Sequence, residues 1–117
     1  MKKLLIVLLV LFLVACGSPA VNEEGAIRDV IGEYFSAFNA YDYGRIVALL
    51  SDNVPREKIM EAVLFARGIG LVAEPTEIVV NINGDKAEAV VSFKGGSDTM
   101  LLVKQKGKWL IDGKISP

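Results

Sequence analysis

Apolar residues follow two different periods along the chain, a helical one first and a strand-like one later. From Ile27 to Tyr41 they recur at the spacing of one helical stripe, which predicts a long helix over residues 23–40. Asp42 is a suitable N-cap for a short second helix that ends near residues 51–52. Both helices are expected to turn an apolar face toward a common core.

A third helix is predicted to begin at Asn53 and Pro55, since proline favours the first turn of a helix. Its apolar stripe consists of Ile59, Met60, Val63 and Leu64. Gly68 fits the left-handed position just past the end of a helix, where the lack of a Cβ removes the steric penalty. Three helices are therefore expected before residue 70.

After Pro75 the period changes to two, which is typical of half-buried strands. Four strands are predicted, over 77–82, 86–93, 99–105 and from 109 to about 113. Asn83-Gly84 is a strong hairpin signal, because both residues tolerate positive φ in a tight turn. Further turns are predicted at residues 95–98 and 106–108.

This order of helices followed by strands predicts an α+β domain. Helices that precede an antiparallel meander are expected to pack on one face of its sheet. We therefore predict three N-terminal helices on a curved, four-stranded antiparallel sheet.

The first sixteen residues have the layout of an export signal. Lys2 and Lys3 precede Leu4 to Val14, an unbroken apolar run of eleven residues. Such a run spans only about half of a ~30 Å hydrocarbon core. The tetrapeptide Leu13-Val14-Ala15-Cys16 resembles the lipobox of bacterial lipoproteins. That resemblance implies cleavage between Ala15 and Cys16 and a diacylglyceryl group on the Cys16 thiol.

The expected organisation is a signal peptide over 1–15, a lipidated tether over 16–23 and a domain over 24–116. The lipoprotein resemblance implies a cell-envelope location, either on the outer side of the cytoplasmic membrane or in an outer membrane. Ordinary secretion is the alternative, since Ser18-Pro19-Ala20 offers small residues for a different cleavage.

Composition narrows the candidate chemistry. The formal net charge is −1, and no concentrated run of Lys and Arg exists, so nucleic acid is not an expected partner. Histidine is absent and Cys16 is the single cysteine, so an internal disulfide is excluded. We expect no metal and no cofactor.

Two further segments carry a second resemblance. AIRDVIGEYFSAFNAYDYGRIVALLSDNV near the start of the domain and KQKGKWLIDGKIS at its end are similar to the first helices and last hairpin of the nuclear-transport-factor-two-like and ketosteroid-isomerase-like (SnoaL-like) superfamily. The resemblance implies a cone-shaped fold with cystatin-like topology. It also makes a homodimer, in which two sheets pair face to face, one possible assembly. The resemblance also implies, for an enzyme, a carboxylate base with tyrosine or acid hydrogen-bond donors, or a histidine, over an apolar pocket.

We predict a candidate pocket from the aromatic and acidic residues of the domain, and we assign no catalytic residue. Among the acids, Asp42, Asp52 and Asp98 are explained by caps and turns, and Asp112 is the acid of most interest. The candidate pocket residues are Tyr34, Phe38, Tyr41, Phe93, Trp109 and Asp112. Hydrophobic core is the alternative role for the aromatic ones, because a domain of this size needs large side chains to fill its interior.

The resulting functional expectation is a non-enzymatic envelope lipoprotein. Its domain is expected to bind a partner protein or a small apolar ligand at the membrane surface. Two alternatives remain open at this point, a small lyase or isomerase that uses a carboxylate and a tyrosine, and a structural dimer module.

Overall fold

The computed structural model describes residues 19–115 and, within them, the side chains of residues 23–114. The helices are α1 (Pro19–Asn39), α2 (Tyr43–Val47) and α3 (Arg56–Ile69). The strands are β1 (Glu77–Asn83), β2 (Lys86–Phe93), β3 (Gly96–Gln105) and β4 (Lys108–Ile115). The proposed signal peptide and lipobox lie outside the described residues.

The four strands form one antiparallel meander in the order β1-β2-β3-β4. The predicted α+β fold, with three helices before a four-stranded antiparallel sheet, is confirmed. At the β4 edge, the segment after α2 adds one parallel bridge between Leu50 and Ile111. This bridge ties the connection between α2 and α3 to the sheet.

The core lies between α1 and the inner face of the sheet. Ile27 and Ile31, one helical turn apart on the stripe of α1, are fully buried. They belong to the same buried cluster as the small inward-facing residues Ala87 and Ala89 of β2. The middle of α1 and the inner face of the sheet therefore share one buried core.

Helix α1 is longer than the sequence predicts at its N-terminal end. It begins at Pro19, four residues before the predicted start, so most of the segment expected to form an unfolded tether is helical. At the other end Tyr41 has a φ of 54°, and the backbone N–H of Asp42 donates to the carbonyl of Ala37 at 2.9 Å. This left-handed residue terminates α1.

Helix α3 corrects two predictions. The left-handed C-cap is Gly70, with a φ of 69°, whereas Gly68 lies inside the helix. The buried face contains Val63 and Ala66, while Met60 and Leu64, predicted for the apolar stripe, are exposed. Helical spacing alone could not identify the buried side because apolar residues occur all around the second half of α3.

Two turns are displaced by a residue or more from the predicted positions. Asn83 pairs with Lys86, so the first hairpin turns on Gly84 and Asp85, and only Gly84 of these has a positive φ. Phe93 pairs with Gly96, so the second hairpin turns before Gly96 and β3 starts earlier than predicted. This shift matters for the site, because it brings Asp98 into the strand.

Within residues 19–115 we find no helix with the length and apolar character needed to cross a membrane.

The two glycines of α3 provide a matched test of the corrected helix end. Gly68→Ala is expected to stabilise the protein by roughly 0.5–1 kcal/mol, because alanine suits an open helical position. Gly70→Ala is expected to cost about 1 kcal/mol or more, because a Cβ is strained at positive φ. Urea unfolding of both variants measures the difference, and equal effects would contradict the assignment of Gly70 as the cap.

Candidate functional site

A cavity of about 930 Å³ lies between the helices and one end of the sheet, and it is open to solvent. Side chains from α1 and α3 form one wall, and residues of β2, β3 and β4 form the opposite wall. The segment of residues 71–76, which connects α3 to β1, borders the cavity. The size falls within the range of small-molecule sites, about 300–1,000 Å³.

An aromatic cluster from α1 and β2 lines the cavity. The ring of Phe35 makes edge-to-face contacts with Tyr34, at a centroid distance of 5.1 Å, and with Phe93, at 5.5 Å. Tyr34 also stacks on Phe38, one helical turn later, at 6.4 Å. Offset and edge-to-face contacts of this kind hold aromatic rings in fixed orientations. The cavity wall is therefore apolar and has a defined shape.

A carboxylate and an ammonium group lie together on the cavity wall. Asp98 Oδ2 is 2.9 Å from Lys114 Nζ. Asp98 shares the inner face of β3 with the buried residues Met100 and Leu102, because side chains alternate along a strand. Asp98 is thus part of the site rather than the turn residue that the sequence predicts.

A β-bulge in β4 brings Lys114 to the inner face. Leu102 pairs with Ile111 and Leu101 with Gly113, so Asp112 is the extra residue between them. Without this insertion the alternation of β4 would turn Lys114 outward. With it, Lys114 lies opposite Met100 and reaches Asp98.

The hydroxyl of Tyr34 is held in its neutral form. Burial raises the pKa of Tyr34 above its usual value of 10.0, and the negative charge of Asp98 raises it further. A neutral phenol in an apolar cavity can donate one hydrogen bond. It is therefore a polar group suited to orienting a bound molecule.

Of the six predicted pocket residues, Tyr34, Phe38 and Phe93 line the cavity, and the other three do not. Trp109 is only 4% exposed and belongs to the buried core cluster. Its indole nitrogen has no hydrogen-bond partner among the described residues. The structure gives Trp109 the alternative role considered for the aromatics, that of filling the core.

Tyr41 and Asp112 do not line the cavity and make structural hydrogen bonds instead. The hydroxyl of Tyr41 donates to the carbonyl oxygen of Leu71 at 3.1 Å. Oδ1 of Asp112 accepts hydrogen bonds from the Ser51 hydroxyl at 2.6 Å and from Asn53 Nδ2 at 2.9 Å. Asp112 therefore fastens the connection between α2 and α3 to β4.

The segment over residues 71–76 is fastened to the C-terminal end of α1. The side-chain amide of Asn39 donates to the carbonyl oxygen of Ala73 at 2.8 Å and accepts from its N–H at 2.7 Å. At its other end, the N–H of Thr76 donates to the carbonyl oxygen of Ser92 at 2.8 Å. These contacts fix the segment beside the cavity.

No group of three or more His, Cys, Asp or Glu side chains that could hold a metal ion occurs in the described part of the chain. The polar groups that remain on the cavity wall are Tyr34, Glu74, Thr76, Lys94, Asp98 and Lys114.

Sequence reasoning missed Asp98, Lys114 and the segment over 71–76. The sequence did contain a signal for the position of Asp98. It lies two and four residues before Met100 and Leu102, so all three share one face of a strand. The side of Lys114 depends on the bulge, which no local pattern indicates. The segment after α3 has no periodicity, and its position follows from the tertiary contacts of Asn39 and Tyr41.

The raised pKa of Tyr34 predicts a specific pH dependence. Since the folded protein holds this proton above the unfolded pKa, the stabilising effect is complete below pH 10 and is lost as pH rises through the folded value. We expect Tyr34→Phe to lose less stability than the wild type above pH 10. We expect Asp98→Asn to lower the pKa of Tyr34, as followed by tyrosinate absorbance, with Asp52→Asn as the control. An unchanged titration in Asp98→Asn would contradict the proximity of these groups.

This chain is similar to known proteins in its three-dimensional structure. No protein-family model matches this sequence, and no curated protein matches it. The chain is similar to the solved structure of a single-residue variant of Rv3472, a function-unknown protein from Mycobacterium tuberculosis, at 19% identity. The match covers 81% of this chain and 77% of that chain, with a TM-score of 0.59. This likeness supports the α+β fold.

Proposed function

We propose that this protein is a membrane-anchored envelope lipoprotein whose domain binds a small apolar molecule in the cavity between α1, α3 and the sheet. The observation that carries the proposal is the cavity of about 930 Å³ with its aromatic wall. Concave, mostly apolar sites with a few polar groups are typical of small-molecule binding. The finer family assignment to SnoaL-like proteins is part of the same proposal.

The charges on the cavity wall favour an uncharged ligand. Two basic residues, Lys94 and Lys114, are balanced by two acidic ones, Glu74 and Asp98. Lys114 and Asp98 already neutralise each other at 2.9 Å. An ionic ligand beside Asp98 and Lys114 would have to break that pair or bring an unpaired charge against apolar walls, which costs free energy. A neutral molecule avoids both costs.

The anchor is proposed from the N-terminal sequence. Cys16 closes the lipobox-like tetrapeptide and precedes α1 by only two residues, Gly17 and Ser18. Acyl chains on Cys16 would contribute about 0.8 kcal/mol for each buried methylene, so two or three chains make a stable anchor. The proposed location is the cell envelope, on the outer side of the cytoplasmic membrane or in an outer membrane.

The site also favours a second candidate, a small lyase or isomerase. Asp98 and the neutral hydroxyl of Tyr34 would be the carboxylate and the hydrogen-bond donor, with Asp98 in the place first considered for Asp112. The ion pair with Lys114 counts against this role, because Oδ2 of Asp98 already contacts the ammonium group at 2.9 Å and would have to leave it to reach a substrate proton. Turnover would depend on Asp98, whereas binding alone would depend on the apolar walls.

Ligand binding is tested by obstructing the cavity from α3. Ala62 lines the cavity and is exposed, so Ala62→Trp adds bulk at the opening without disturbing the core. We expect the domain from Pro19 onward to bind N-phenyl-1-naphthylamine, an uncharged apolar fluorophore, with a saturable rise in emission. Ala62→Trp should weaken this binding about tenfold or more, equivalent to ~1.4 kcal/mol.

Ala26→Trp is the matched control, because Ala26 is an exposed helical residue of α1 that does not line the cavity. It should bind the fluorophore like the wild type. The isolated domain is suitable for this test, since every residue of the core cluster in the described part of the chain lies between Ile27 and Ile111. Absence of saturable binding in the wild type, or equal binding by both tryptophan variants, would refute binding in the cavity.

The anchor is tested separately by metabolic labelling. Cells that express the full chain with labelled palmitate are expected to incorporate label into the wild type and none into Cys16→Ala. The variant should also leave the membrane fraction, provided that its leader is removed. Label retained in Cys16→Ala would contradict lipidation at this residue.

A further inference from the structure

An exposed apolar surface surrounds the C-terminal end of α3. Six of the eight large hydrophobic residues that are exposed in the described part of the chain lie on α3 or directly after it. Five of them form what we name the apolar tip, namely Leu64, Phe65, Ile69, Leu71 and Val72. Each is between 46% and 66% exposed. Contiguous exposed apolar surfaces mark binding sites for proteins or membranes.

The apolar tip adjoins the opening of the cavity. Phe65 and Ile69 follow Ala62 at helical spacings of three and seven, so the three share one side of α3. Ala62 lines the cavity, and so do Leu71 and Val72 of the tip itself. A surface that covers the tip would therefore also lie against the cavity opening.

The side chains of the tip suit hydrocarbon better than a protein partner. Residues 62–73 contain no side chain that can form a hydrogen bond except that of Arg67. Protein interfaces typically include about one hydrogen bond per 100–200 Å². The exposed Arg67 can extend its guanidinium toward a lipid phosphate while its methylenes lie along apolar surface.

Much of the backbone of the tip is hydrogen-bonded within the protein. The N–H of Gly70 bonds to the carbonyls of Ala66 and Arg67, and the N–H of Leu71 donates to Ala66 at 2.9 Å. The carbonyl of Leu71 accepts from Tyr41, and both polar groups of Ala73 bond to Asn39. A segment that enters lipid needs such internal partners, because hydrocarbon provides none.

We propose that the apolar tip inserts into a lipid surface and thereby opens the cavity directly to lipid-soluble molecules. This rests on the proposed function in two respects, the use of the cavity as a binding site and, for the orientation of the domain, the anchor at Cys16. The ligand class is then an uncharged lipid-phase molecule that passes between bilayer and cavity over Leu71 and Val72.

The position of the tip relative to the proposed anchor fixes the orientation of the domain. Helix α1 has 21 residues and is therefore about 30 Å long. In the sequence Cys16 stands three positions before its first residue, and the bonds between Asn39 and Ala73 hold the tip near its other end. An anchor and a tip in the same bilayer require α1 to lie roughly parallel to the membrane plane.

Tryptophan quenching by brominated lipid tests the proposal on the full-length protein purified from membranes and reconstituted in vesicles. Phe65→Trp places the fluorophore in the tip, and Val79→Trp is the control, since Val79 is an apolar β1 residue that is 53% exposed on the outer face of the sheet. The native Trp109 is buried and gives the same background in both variants. Ile69→Trp replaces Phe65→Trp if the latter fails to fold.

The expected result is a blue-shifted tip tryptophan that loses much of its emission when the acyl chains carry bromine, while Val79→Trp is unaffected. Three results would overturn the proposal. A tip tryptophan with neither shift nor quenching is in water, and a blue shift without quenching indicates a protein partner or a second copy. Equal quenching of both variants means that another surface contacts lipid. Fluorophore binding by the isolated domain is measured without a membrane, so the two proposals can fail separately.

Discussion

The packing of α1 against the inner face of the sheet is the interaction on which the other features depend. In its middle turns, Ile27 and Ile31 belong to one core cluster with the alanines of β2. Toward its C-terminal end the stripe changes to Tyr34 and Phe38, which line the cavity. One helix therefore closes the core at one end of the sheet and forms the wall of an open site at the other.

The bulge in β4 connects the stability of the fold to the chemistry of the site. It turns Asp112 toward Ser51 and Asn53, where the carboxylate fastens the connection that precedes α3. It also turns Lys114 toward Asp98 at the cavity. A single extra residue thus determines which acid is structural and which acid lies beside Tyr34. The acid expected to be of functional interest and the acid expected to be structural have exchanged roles.

The sequence predicted those features that depend on local periodicity. The three helices and the four strands follow from spacing, and three of the six pocket residues line the cavity. The incorrect predictions concern features that depend on tertiary contacts. Gly68 and Gly70 are both compatible with a helix end, and only the packing of α3 selects Gly70. Asp98 was predicted to lie in a turn because the glycines at residues 95 and 96 indicated a turn where β3 in fact begins.

The double hydrogen bond between Asn39 and Ala73 has a consequence for ligand exchange. Two such bonds contribute about 1–3 kcal/mol together, and they act with the hydrogen bonds that Tyr41 and Thr76 make to the same segment. Detachment of this segment would widen the cavity opening and would leave Ile27 and Ile31 in the core cluster. Residence time in the cavity would then be set by a local opening rather than by unfolding, and a change at residue 39 would alter both association and release rates.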